Sequence, residues 1–183
     1  SLDKTTFTCA DLGANTVTLT ATDAGNSDSA TATVTIEDKI APTVVAQNFT
    51  LQLDANGQGT LSVANIDNGS SDNCNIESII LDKTSFDCSN IGANVVKLTV
   101  TDASGNSSDA TVTVTVEDKI APTAIAQDIA VQLGAGGQVS IAAADINNGS
   151  SDNCTTAANL TYSLDTTSFS CSEVGTNNVV LTV

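Results

Sequence analysis

Acidic side chains and cysteines are the residues of this 183-residue chain whose types could do chemistry. The chain carries 21 acidic residues against five basic ones, a net charge of −16, and no histidine. A catalyst would have to rely on carboxylates and hydroxyls, and acids that lie in solvated turns stay ionised and make poor proton donors. The composition therefore predicts no enzyme. It also disfavours nucleic acid and anionic membranes as partners, and it favours cations.

Two groups of acidic and amide side chains have the composition of a calcium site. The first group consists of Glu37, Asp38, Asp67, Asp72, Asn73, Asp102 and Asn106. The second group consists of Glu117, Asp118, Asp145, Asp152 and Asn153. Calcium takes roughly six to eight oxygen ligands, and crowded carboxylates repel one another unless a cation neutralises them. The alternative is that these residues are ordinary turn formers that cap their own backbone. Calcium binding at both places is the prediction, and the turn-former interpretation remains open.

The five cysteines predict disulfides. Cys74 and Cys88 recur 80 to 83 residues later as Cys154 and Cys171, and we expect the bonds Cys74–Cys88 and Cys154–Cys171. Cys9 matches Cys88 by position, so its partner is expected upstream. A link between repeats, such as Cys9 with Cys74, and free buried thiols are the alternatives. Paired cysteines in a histidine-free chain favour an oxidising, extracellular compartment over a zinc site.

The string EDKIAPT organises the chain, because it occurs at 37–43 and again, unchanged, at 117–123. An exact repeat at an interval of 80 residues indicates a tandem array. The expected divisions are the C-terminal half of a repeat at 1–38, a complete repeat at 39–118, and a repeat without its last strands at 119–183. We interpret the sequence as a window on a longer protein. No apolar run approaches the roughly 20 residues of a membrane span.

Alternating apolar residues and threonines predict strands throughout each repeat. GANTVTLTATD and the strand at 30–36 form a β-hairpin around the turn segment DAGNSDS, and 92–118 repeats it. Before it come two strands separated by a Gly-rich turn, the loop NGSSDNC at 68–74 and 148–154, and a further strand at 76–82. The seven loop letters are identical in both copies, so something other than packing fixes them. About seven short strands in 80 residues predict an all-β fold of tandem immunoglobulin-like or fibronectin-III-like sandwiches.

These motifs carry a resemblance to a known family. APT at the repeat start, the SDNC loop, the terminal stretch GANVVKLTVTDASGNSSDATVTVTVED and the 80-residue period resemble HYR (hyalin repeat) domains and their bacterial relatives. Linkers such as EDKIAPT are similar to those in very long surface adhesins of Bacteroidota, including gliding-motility adhesins. The chain departs from the common hyalin pattern because no cysteine follows the TDASGN turn, so the resemblance leaves the disulfide connectivity open. The resemblance implies an immunoglobulin-like fold in an extracellular array.

The expected function is a structural repeat segment of a long cell-surface adhesin or stalk, which spaces or presents an adhesive tip. Its expected partners are the neighbouring repeats of its own chain and surface glycans or other cells, without direct membrane insertion. The alternative is a self-assembling extracellular filament, in which the hairpin at 14–38 of one chain completes the repeat at 119–183 of another.

Overall fold

A computed structural model describes all 183 residues, and the chain in it is mostly β, as the sequence predicts. The strands are β1 (Gly13–Asp23), β2 (Asn26–Ile36), β3 (Phe49–Gln52), β4 (Gln58–Thr60), β5 (Ile76–Leu81), β6 (Ser85–Asp87), β7 (Gly92–Asp102), β8 (Ser107–Glu117), β9 (Gln138–Ser140), β10 (Ser163–Leu164), β11 (Ser168–Ser170) and β12 (Leu181–Thr182). One-turn helices lie at α1 (Val63–Ile66) and α2 (Ala143–Ile146), and 3-10 turns lie at Cys9–Asp11, Cys88–Asn90 and Cys171–Glu173. The residue pattern does not predict these short helical segments, since a single turn is too short to show helical periodicity.

The strands form small sheets. One sheet has four strands in the order β3-β8-β7-β5, and the pairs β1–β2, β4–β6, β9–β11 and β10–β12 form two-stranded sheets. Contacts divide the chain into two compact units. The first comprises Ser1–Phe49, Leu61–Thr84 and Ala93–Thr115, and the second comprises Thr50–Thr60, Ser85–Gly92 and Val116–Val183. The repeat boundaries expected at residues 38 and 118 stay a prediction.

The first unit contains the predicted hairpin β1–β2. Its strands pair antiparallel from Gly13 opposite Ile36 to Asp23 opposite Asn26, which leaves a two-residue turn. Both turn residues, Ala24 and Gly25, have positive φ, the conformation that tight hairpin turns of matching twist require. The hairpin predicted from the sequence is therefore present, but β2 begins at Asn26, earlier than the predicted strand at 30–36, and only Ala24 and Gly25 of the predicted turn DAGNSDS form the turn.

The same unit buries the hairpin β7–β8, which has a similar sequence. Val96, Leu98, Val100 and Val114 are fully buried, and Val112 is 7% exposed. These residues alternate with threonine, lysine and alanine on the other face, as a half-buried strand requires. Their burial anchors β7–β8 in the core of the unit and so fixes the position of Asp102, the last residue of β7.

The second unit repeats pairings found earlier in the chain. Strands β4 and β6 place Gly59 opposite Phe86, and β9 and β11 place Val139 opposite Phe169 in the same way. The internal repeat thus extends from the sequence to the strand register.

No helix in the structure has the length and hydropathy that crossing a bilayer requires.

Candidate cation site and disulfide junctions

Two places in the chain, which we call junctions, combine an EDK linker with an NGSSDNC loop. The first junction comprises Cys9, residues 37–40, the loop 67–74 and the turn 102–106. The second comprises Cys88, residues 117–120 and the loop 145–154. The first lies within the first compact unit and the second within the second unit.

Backbone and hydroxyl hydrogen bonds fix the first half of the loop in the first junction. Gly69 adopts φ +92°, which favours glycine. The Ser70 hydroxyl accepts a hydrogen bond from the Val45 N–H at 3.0 Å. Ser71 and Thr43 exchange backbone hydrogen bonds of 2.8 and 3.0 Å. The loop is therefore tied to the segment that follows the linker.

The second half of the loop ends in side-chain contacts. The Asp72 carboxylate accepts a hydrogen bond from the Cys74 N–H at 2.9 Å, and the Asn73 amide donates to Asp38 at 3.2 Å. Cys74 is bonded to Cys9. From Gly69 to Cys74, each residue of NGSSDNC thus has a specific contact or a special backbone conformation, which explains why neighbouring strands vary while these letters do not.

The disulfides correct the pairing expected from the sequence. The bonds are Cys9–Cys74 and Cys88–Cys154, and Cys171 is a free, exposed thiol. The predictions Cys74–Cys88 and Cys154–Cys171 are wrong, as is an upstream partner for Cys9, whereas the link between repeats is the alternative that forms. The reason lies in the strands between Cys74 and Cys88: β5 pairs with β7 and β6 pairs with β4, so this segment makes no hairpin that would bring its ends together.

Cys88 and Cys171 each lie against a glycine. A Cβ at Gly57 would lie 2.4 Å from Cys88 Sγ, and a Cβ at Gly137 would lie 3.0 Å from Cys171 Sγ. Both glycines have positive φ, +70° and +73°. The free Cys171 therefore has the same local setting as the bonded Cys88. The recurrence of Gly57 and Gly137 in the Gly-rich turns is the sequence signal for this role.

Three carboxylates converge in the first junction. Oxygens of Asp38, Asp72 and Asp102 all lie within 4.8 Å of one another. The linker supplies the first, the NGSSDNC loop the second, and the turn after β7 the third. The amides of Asn73 and Asn106, which were also predicted site residues, hydrogen-bond to this group: Asn73 donates to Asp38, and Asn106 donates to Asp102 at 2.8 Å and to the Asp38 carbonyl at 3.1 Å.

Asp102 is a buried charge, with 2% of its surface exposed. Burial alone would raise its pKa. The Asn106 side chain and the backbone N–H groups of Asn106 and Ser104 donate hydrogen bonds to the carboxylate, and they bring its pKa below the ordinary value. Asp102 is therefore ionised at neutral pH and contributes a full negative charge to the group.

One oxygen in this group has no partner within the protein. Asp72 Oδ1 is buried from solvent and makes no hydrogen bond, while Oδ2 of the same carboxylate accepts from Cys74. An unsatisfied buried carboxylate oxygen is costly, and a cation is one of the few ligands that would satisfy it. Lys39, which follows Asp38 in the sequence, forms its ion pair with Glu37 at 2.6 Å instead of with this group of carboxylates.

Two predicted ligands of the first junction lie outside the group of three carboxylates. Glu37 is exposed and pairs with Lys39, which lowers the pKa of Glu37. Asp67 caps its own loop, since its Oδ1 accepts from the Ser70 N–H at 3.1 Å. Asn147 makes the same 3.1 Å contact with Ser150 in the next copy. An uncharged amide does the same work there, so Asp67 is a turn former.

In the second junction, Asn153 connects the loop to Asp118, and Asp152 accepts hydrogen bonds from its own loop. The Asn153 amide donates to Asp118 at 3.1 Å, as Asn73 does to Asp38. The Thr155 N–H bonds to Asp152 at 2.7 Å and is the main cause of the lowered pKa of Asp152. Oδ1 of Asp152 and Oδ1 of Asn153 are both buried without partners.

The other two residues predicted at the second junction have structural contacts. Asp145 accepts from the Ala142 N–H at 2.8 Å, where Asn65 accepts from the Ser62 N–H in the earlier copy. Glu117 pairs with Lys119 at 3.2 Å. The first junction therefore has the more complete set of oxygens for a hard cation.

Comparison with known proteins adds no family to this description. No family model matches the chain, and no curated protein is significantly similar to it.

Proposed function

We propose that this chain is a structural repeat segment of a long extracellular cell-surface adhesin or stalk, built from tandem immunoglobulin-like sandwiches. The observation that carries the proposal is the disulfide pattern. Each bond joins a cysteine that precedes one repeat's terminal hairpin to the NGSSDNC cysteine of the next copy. Such bonds persist outside the reducing cytosol, and they fasten consecutive repeats to one another. Neighbouring repeats are thus its first partners, and its role is mechanical, with no catalytic step.

Surface location is the part of this proposal that an experiment can reject most directly. Antibodies raised against the chain should label intact producing cells, and brief protease treatment of those cells should remove the label. A cytosolic protein, probed in parallel, should be untouched. Signal that appears only after the cells are lysed would overturn the proposal.

A filament built by strand exchange is the second candidate. The hairpin β1–β2 is largely exposed, with Leu19 at 54%, whereas its counterpart β7–β8 is buried. In the second unit, residues 126–133 and 173–179 line an open groove together with Val139, Ile141 and Phe169. A strand from a second chain would fit there by β-augmentation. Sedimentation of the purified chain decides the matter: polymers that grow with concentration support the filament, and a monomer at all concentrations supports the stalk.

Calcium at the first junction belongs to the proposed function. Asp38, Asp72 and Asp102 offer carboxylate oxygens, one of them the buried and unpartnered Oδ1 of Asp72. A bound calcium ion would neutralise the repulsion among the three charges and fasten the linker to the loop and the turn. The junction would then be stiff in calcium and more pliant without it.

Calorimetric titration with calcium tests this site. We expect one ion per chain, and a higher melting temperature in calcium than in chelator. Asp72→Asn should abolish both effects, because it removes one charge at nearly constant shape. Glu37→Gln, the matched control, removes an exposed linker charge and should leave both effects intact. If Asp72→Asn kept the same calcium response as Glu37→Gln, or if the parent protein showed no response, these acids would be turn formers and not calcium ligands.

A further inference from the structure

The two disulfides close large loops that follow one another along the chain. Cys9 and Cys74 are separated by 65 residues, and Cys88 and Cys154 by 66. The first loop contains β1, β2, the linker at 37–43, β3, β4 and α1. The second contains β7, β8, the linker at 117–123, β9 and α2. Each loop thus encloses a terminal hairpin, the linker and the first half of the following copy.

We propose that the disulfides make this chain a covalent tether whose linkers and terminal hairpins carry no tension once the array is stretched. A force applied at the two ends passes from Cys9 to Cys74 through sulfur, along residues 75–87, and from Cys88 to Cys154 through sulfur again. Residues 10–73 and 89–153 lie outside this path. Unfolding them cannot lengthen the chain while the bonds are intact.

The segment between the two bonds is the part of the middle repeat that does carry load. It contains β5 and β6, and β5 is held by β7 through pairs such as Ile79 with Val100 and Leu81 with Leu98. Strand β6 is held by β4 through the pair Phe86 with Gly59, and Phe86 is 2% exposed. Under tension these pairings carry load, because β5 and β6 lie in the force path while their partners β7 and β4 lie in the closed loops.

The effect on length is large. With separations of 65 and 66, the two bonds remove 131 of the 182 residue steps between Ser1 and Val183 from the path. At about 3.6 Å per residue, this shortens the fully extended chain by roughly 470 Å, less the small span of the bonds themselves. What remains is roughly 180 Å. Without the disulfides the same chain would extend several-fold further.

Single-molecule stretching of the full chain by its two ends tests the tether. The oxidised protein should reach a contour length of roughly 180 Å, and addition of a reductant should lengthen it by roughly 470 Å. A double variant, Cys9→Ser with Cys74→Ser, should gain about half of that increase without reductant. The double variant Cys88→Ser with Cys154→Ser should gain the other half. Contour length is read from the unfolded chain, so a variant that folds poorly still gives an answer.

Cys171→Ser is the matched control, because Cys171 has the same local setting as Cys88 and no bond. It should leave the contour length unchanged. Oxidised protein that extends as far as reduced protein would overturn the tether, and so would double variants that fail to lengthen.

The biological meaning of the tether rests on the proposed stalk function, but the measurement does not. Short contour lengths with an intracellular location would reject the stalk and keep the tether. Surface location with full extension would do the reverse.

Discussion

The two junctions share nearly the same hydrogen bonds and disulfide links. In both, an asparagine of the NGSSDNC loop reaches back to the aspartate of the EDK linker, at 3.2 Å from Asn73 to Asp38 and at 3.1 Å from Asn153 to Asp118. In both, the next residue is a cysteine bonded to a cysteine of the preceding repeat. Seven identical letters thus produce the same contacts twice.

The junctions differ in the residue that completes the acidic group. In the first junction, Asp102 at the end of β7 lies within 4.8 Å of Asp38 and Asp72. In the second junction the Asn153 amide also donates to the Asp54 carbonyl at 3.2 Å. The hydrogen bonds and disulfides that the junctions share are therefore encoded locally, in the loop and linker, whereas the candidate cation site also includes Asp102 of β7.

The largest effect should come from the disulfides, and it should be equal at the two junctions. Cys9→Ser with Cys74→Ser, and separately Cys88→Ser with Cys154→Ser, should each lower the free energy of unfolding by about 4 kcal/mol in the chain-entropy model. The loops have almost the same length, 65 and 66 residues. Denaturant titration in a Cys171→Ser background, which prevents thiol exchange, measures both. If only one of the two double variants lost stability, the two disulfides would not be equivalent.

Calcium should separate the junctions. Asp102→Asn should weaken calcium binding by at least about tenfold, because it removes one of three carboxylates from a site that prefers charged oxygens. Asp118→Asn, the equivalent of a change at Asp38 but in the second junction, should leave the affinity unchanged. Calorimetric titration of both variants provides the comparison, and circular dichroism checks that both are folded. Binding of two ions, or loss of affinity in Asp118→Asn, would place a site in the second junction as well.

The glycines beside the cysteines should show a smaller difference. Gly57→Ala and Gly137→Ala both place a Cβ at positive φ, which costs about 1 kcal/mol. At Gly57 the new Cβ also lies 2.4 Å from the bonded Cys88 sulfur and 3.3 Å from the Asn153 carbonyl, so the total should be about 2 kcal/mol or more.

Gly136→Ala provides the control for this pair, because a Cβ there meets no atom within 4 Å. It should be within about 0.5 kcal/mol of the parent protein. Thermal melts of the three variants rank the costs, and equal losses for Gly57→Ala and Gly137→Ala would show that the bonded sulfur adds no constraint.

The sequence predicts local structure well and the pairing of distant parts less well. Alternating Val17 and Leu19 with threonines, ahead of a glycine turn, suffices for the hairpin β1–β2, since both strands and the turn are adjacent in the chain. Cysteine spacing does not reveal that Cys74 bonds to Cys9, because the outcome depends on β5 and β6 joining different sheets.

The acidic residues show the same limit. The linker offers two neighbouring acids, Glu37 and Asp38, and only the backbone path decides which one faces the loop. Glu37 forms an ion pair with Lys39, and Asp38 joins the carboxylate group. Asp67 is removed from the predicted ligands by its hydrogen bond to Ser70. Composition predicts that carboxylates gather here, and three-dimensional contacts select among them.

The smallest effect should appear at acid pH, and here the junctions should again agree. Asp102 and Asp152 both have a pKa below the ordinary carboxyl value: at Asp102 hydrogen bonds outweigh burial, and at Asp152 the Thr155 N–H is the main cause. A carboxylate whose pKa is lowered on folding stabilises the protein above its unfolded pKa of about 3.9. That stability is lost as the pH falls through the lower, folded pKa.

Melting temperatures in chelator should therefore be flat above about pH 5 and should fall below about pH 4. Asp102→Asn and Asp152→Asn should each make this fall shallower, because the amide cannot titrate, and each should melt lower than the parent near pH 7. Asp128→Asn changes an acid outside both junctions and serves as the control for charge alone. If either junction variant kept the full acid dependence of the parent, the hydrogen bonds from Asn106 or Thr155 would not be what holds that carboxylate ionised.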